Sequence, residues 1–150
     1  MRGAVLLAAA SLALLAAGCG SSSEAATPES PLGLRLVTLT NSAPAAVQQQ
    51  LANAGLNAFF ERSFSVDPVR RFKPAPEAYR SVADALGVPV DQLRLVAAHA
   101  WDIVGALRAG CAAAFVARPG KVLYPLGPQP DIVGPNLRQV AQAIVAAERA

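Results

Sequence analysis

From Leu34 onward, short apolar runs alternate with longer segments of helical period, and glycine closes three of those segments, at Gly55, Gly87 and Gly110. Repeated βα units demand this rhythm. A parallel strand covered on both faces reads as an unbroken apolar run, and helices commonly stop at a glycine in the left-handed conformation. Strands are expected at residues 34–39 (LRLVTL), within 59–66 (FFERSFSV), at 93–98 (LRLVAA) and at 112–117 (AAAFVA), with a short one at 131–133. Helices are expected at 44–54, 76–86, 101–109 and 135–147, the last with Pro135 in its first turn. Residues 118–129 hold three prolines and two glycines and read as loop. The class is α/β, Rossmann-like, a mainly parallel sheet with flanking helices.

Composition narrows the function. At 150 residues, 53% hydrophobic and 15% charged, the chain suits one core rather than a disordered tail. Thirteen Lys and Arg against ten Asp and Glu give a net charge of +3, scattered rather than blocked, so nucleic acid is not an expected partner. One histidine and two cysteines, Cys19 and Cys111, are too few for a structural zinc site, and no metal is expected. No G-x-G-x-x-G or P-loop occurs, so neither a dinucleotide nor a nucleoside triphosphate is indicated, and no cofactor is expected.

The front of the chain has another character. Residues 1–18 carry one cation, Arg2, no acid, and an apolar run at 4–17 that ends in small residues before Cys19. Its length fits a signal-peptide core of about 7–15 residues rather than the roughly 18 that span a bilayer. LLAAGCGSSS is similar to a bacterial lipobox, which implies lipidation of Cys19 and a membrane anchor. Residues 20–31 (GSSSEAATPESP) suit a flexible tether. The expected organisation is a signal at 1–18, a tether at 19–33 and a domain at 34–150, extracytoplasmic and lipid-anchored. A start codon placed elsewhere would make the protein cytoplasmic instead.

In a parallel sheet, ligands bind beyond the carboxyl ends of the strands. After the first strand of the domain come Thr40, Asn41 and Ser42 before a helix. They can cradle a carboxylate or phosphate, and equally they can be ordinary N-caps. Lys73 sits between prolines in RFKPAPEAY, held on a loop where an ammonium can neutralise a reacting anion, although most lysines are simply solvated. HAWD supplies His99, Trp101 and Asp102, the first and last three apart and able to share a helical face. Asp102 can orient Lys73 or a water, or merely serve the helix N-terminus. Ser42, His99 and Asp102 formally compose a triad, but no G-x-S-x-G elbow surrounds Ser42.

Three segments, LTNS at 39–42, FKPAPEAY at 72–79 and VAAHAWDIVGALRAG at 96–110, together resemble the second, third and fourth motifs of the haloacid dehalogenase (HAD) superfamily, specifically the type II 2-haloacid dehalogenases. The resemblance runs over about residues 34–144. It implies hydrolysis of short 2-haloacids, in which an aspartate displaces halide from C2 with inversion and water then hydrolyses the ester. It further implies that Thr40 and Asn41 bind the substrate carboxylate, Lys73 balances the nucleophile's charge, and Tyr79 supports the site. Asp102 would hold Lys73 and place water, with Trp101 packed beside it. Where the family has serine and asparagine in the fourth motif, this chain has Ala97 and His99, so His99 would replace a lost polar group.

The first motif, D-x-x-G-T, has no counterpart before Leu34, and none of Asp67, Asp84, Asp91, Asp102 and Asp131 stands in such a pattern. Covalent catalysis needs its attacking atom. The expectation is a HAD core lacking its nucleophile strand and cap, without turnover by this chain alone. Its sheet should have a gap between the strands beginning near Leu34 and Leu93, and the apolar run 4–17 is a candidate to fill it. Two further readings stay open: an exported lipoprotein with a non-catalytic binding module, and a magnesium-dependent phosphatase, for which the acids are too few.

Overall fold

The computed structural model describes residues 5–8 and 33–149. Its sheet has six strands, β1 (Val5–Ala8), β2 (Arg35–Thr40), β3 (Arg62–Ser65), β4 (Leu93–Ala97), β5 (Ala112–Val116) and β6 (Ile132–Gly134), in the order β3-β2-β1-β4-β5-β6. Every pairing is parallel. Helices α1 (Pro44–Asn53), α2 (Pro76–Leu86) and α3 (Ala100–Ala109) are the crossovers, and α4 (Leu137–Ala147) closes the described chain.

The expected gap is occupied. Val5–Ala8 lies between β2 and β4, with Val5 opposite Arg35 on one side and Leu93 on the other. These are four residues of the apolar run, and a strand paired on both sides suits such a sequence. The rest of that run, the lipobox at Cys19 and the tether lie outside the described residues.

The sheet separates two cores. On one face Val37 and Leu39 of β2, Leu93 and Leu95 of β4, and Phe115 of β5 pack with Tyr79 and Val82 of α2 and Ile103 of α3. On the other, Ala114, Val116 and Ile132 pack with Val140 and Ile144 of α4. Successive residues of a strand face opposite sides, so an apolar run serves both cores at once.

Element boundaries differ from the sequence reading in instructive ways. Helix α4 starts at Leu137 because the Asn136 side chain accepts a 3.0 Å hydrogen bond from the Gln139 N–H, which makes Asn136 the cap and leaves Pro135 outside the first turn. The residues around the third strand condense to β3 because Asn57–Phe59 form a 3-10 turn first. Gly87 and Gly110 end α2 and α3 at φ 67° and 103°, the left-handed stop that their positions implied.

Candidate active site

The carboxyl ends of β2 and β4 flank β1, where the strand order reverses, and the candidate residues converge there. Lys73 reaches in from the loop before α2, and the residue is only 7% exposed. It donates to Asp102 Oδ2 at 2.9 Å and to the Leu39 carbonyl at 3.1 Å. An ammonium has three N–H donors, so one is left uncommitted among the described residues. Asp102, in the first turn of α3 and 1% exposed, accepts at its second oxygen from the Tyr79 hydroxyl at 2.6 Å. Burial, with the Asp102 carboxylate beside it, raises the Tyr79 phenol far above its ordinary range and keeps it a neutral donor.

The buried Lys73–Asp102 pair needs this support. Moving two charges out of water is costly, and mutual attraction offsets the cost only when the remaining hydrogen-bonding positions are also filled. Tyr79 and the Leu39 carbonyl fill two of them. Asn41 holds the backbone in register: its Oδ1 accepts from the Lys73 N–H at 2.9 Å and its Nδ2 donates to the Lys73 carbonyl at 3.3 Å.

Neither Thr40, Asn41 nor Ser42 caps α1. The cap residue is Ala43, without a side-chain hydrogen bond, because Pro44 already fixes the first helical φ. Thr40 Oγ1 accepts instead from the Ser42 N–H at 3.0 Å, shaping the turn. Thr40 thus shapes its own turn and Asn41 clamps the Lys73 backbone, and neither starts the helix.

His99 and Trp101 lie at the rim. Their ring centroids are 5.9 Å apart, and Lys73 Nζ lies 5.8 Å from the Trp101 ring centroid, within reach of a cation–π contact. Lys73, Asp102, Tyr79, Asn41 and Trp101 are therefore brought together, with Thr40 next to Asn41 in the chain and His99 beside Trp101, while Cys19 falls outside the described residues. Ser42 takes no part in a triad with His99 and Asp102, because Asp102 is committed to Lys73 and Tyr79.

Two contributors were not singled out from sequence. Gly105 lies beneath the site, where a Cβ would come within 2.6 Å of both the Tyr79 hydroxyl and Pro74 Cβ. Its spacing from Asp102 was visible, but the approach of α2 to α3 was not. Lys121, in the proline-rich loop after β5, brings its Nζ to 3.4 Å from His99 Nε2. Nothing local distinguishes it from a solvated lysine.

A parallel sheet with a charge-balanced ammonium at its switch point defines an α/β domain whose candidate site lies at the carboxyl ends of the strands. A model of haloacid dehalogenase-like hydrolases matches residues 30–110, over half of the chain, and the protein belongs to that family. It is 34% identical over 110 residues to an (S)-2-haloacid dehalogenase of Pseudomonas sp. (strain YL), covering 73% of this chain and 47% of that protein. A second (S)-2-haloacid dehalogenase, from Xanthobacter autotrophicus, is 40% identical over 85 residues, which is 57% of this chain and 34% of that protein. An L-2-haloacid dehalogenase from Xanthobacter autotrophicus, solved with chloropropionic acid covalently bound, superimposes with a TM-score of 0.71 at 29% identity, covering 75% of this chain and 56% of that one. The chain spans about half the length of the curated relatives it matches.

Proposed function

We propose that this domain forms the charge-balancing and carboxylate-holding part of a hydrolytic dehalogenase site for short 2-haloalkanoic acids. The observation that carries the reading is the buried Lys73–Asp102–Tyr79 group, held by Asn41 at the strand ends. A free N–H on a fixed ammonium can stabilise an attacking carboxylate at no cost in reorganisation. In the reaction that the resemblance implies, a carboxylate oxygen bonds to C2 as the carbon–halogen bond breaks, and water then cleaves the ester.

Residues 1–23 contain no Asp or Glu, so β1 carries no attacking carboxylate. The chain as it stands is therefore expected to bind 2-haloacids without releasing halide. Trp101, the only tryptophan, reports binding by fluorescence, and halide release from 2-chloropropionate reports turnover. Expected are a fluorescence change, no halide, and loss of the change in Lys73→Met. Halide release would overturn the assignment of the missing group, and absence of binding would overturn the domain's role.

A second reading rests on LLAAGCGSSS: an exported lipoprotein, anchored through Cys19, that uses the same crevice for binding alone. It predicts acylation of Cys19. A Cys19→Ala variant that still fractionated with membranes would sink it.

A further inference from the structure

We propose that Lys121, steered by His99, is a second cationic contact for the substrate carboxylate, an inference that rests on the anion-binding role given to the crevice above. The Lys73 ammonium does not supply that contact by charge alone, because Asp102 at 2.9 Å already neutralises it. The side chains of the β2 turn are neutral: Asn41 bonds the Lys73 peptide at both ends of its amide and Thr40 Oγ1 accepts from the Ser42 N–H, so what they can still offer an anion is donor N–H and O–H without charge. An incoming carboxylate needs a cation not yet matched by an acid. Lys121 is such a cation at this crevice, with no carboxylate partner among the described residues.

Its position is defined by His99. The Lys121 ammonium lies 3.4 Å from His99 Nε2, and because an ammonium can only donate, a hydrogen bond between them has the imidazole nitrogen accepting. His99 in turn sits 5.9 Å from Trp101, and the Lys73 ammonium lies 5.8 Å from the same indole ring. The Lys121–His99 pair and Lys73 thus border one aromatic side chain. Lys121 is exposed, and a long flexible stem lets its ammonium move from His99 to a ligand at little cost.

Histidine and tryptophan each occur once in the chain, so His99 ring protons and Trp101 fluorescence both report this rim. Propionate and 2-chloropropionate are titrated into the full chain, Lys121→Met, Lys121→Arg, and Arg138→Ala on exposed α4 as a remote control. The expected result is binding about tenfold weaker in Lys121→Met, the lower end of what a hydrogen bond to a charged group contributes. Lys121→Arg and Arg138→Ala should bind nearly as the parent chain does. Equal affinity of Lys121→Met and the parent overturns the role of Lys121 while leaving the crevice an anion site. Failure of the parent chain to respond to either carboxylate overturns both readings.

Discussion

At the residue scale, the candidate site is a set of single atoms with no slack. Lys73 lies in a buried pair, so Lys73→Met strands the Asp102 charge and should cost about 3–5 kcal/mol of stability. Tyr79→Phe removes one donor to that charge and should cost less, about 1.5–3 kcal/mol, and urea denaturation of both variants gives the order. Gly105→Ala tests the packing beneath them. In the middle of a helix, alanine is favoured over glycine by roughly 1 kcal/mol. Here its Cβ would meet Pro74 and Tyr79 at 2.6 Å, so the variant should lose about 1–3 kcal/mol and a few degrees of Tm. A more stable Gly105→Ala would refute that close approach. Lys73 and Asp102 were candidates from the residues around them, and Tyr79 came only from the resemblance of FKPAPEAY to a family motif. Gly105 and Lys121 were not legible, since their importance comes from neighbours 26 and 22 positions away.

At the element scale, strand and helix types followed from periodicity, whereas their ends were decided by single hydrogen bonds. Asn136 is the side-chain cap of α4, and Asn136→Ala should cost about 1 kcal/mol, read as a lower urea midpoint with unchanged slope. The junction of α3 and β5 holds Cys111, whose thiol is raised by burial from its ordinary 9.0 to about 11. The folded state thus favours the protonated thiol. Stability from this group is intact below about pH 9 and is lost as pH rises toward about 11, because the unfolded chain ionises first. Cys111→Ala should flatten that alkaline decline in a series of thermal melts. Sequence placed Cys111 outside any disulfide framework, but its burial came from α2 and α3 closing over it.

At the scale of the whole molecule, β1 joins the two halves of the sheet. Both β2 and β4 pair with Val5–Ala8 rather than with each other. A chain beginning at Cys19 therefore exposes two inner strand edges, and it should bind a hydrophobic dye and lose a cooperative thermal transition that the full chain shows. Retention of cooperativity would mean that β2 and β4 can close the gap themselves. The same four residues cannot be both a removed leader and a central strand, so this experiment also bears on which fate the segment meets. By itself, the sequence determined the α/β class and the order of elements from Leu34 onward, since apolar periodicity and glycine stops are local along the chain, while the motif residues came from the resemblance of three short segments to a family. Only the tertiary structure decided what fills the centre of the sheet, that Asn41 clamps the Lys73 backbone, and that Lys121 meets His99. Those contacts depend on how strands far apart in sequence are brought side by side, which no local pattern encodes.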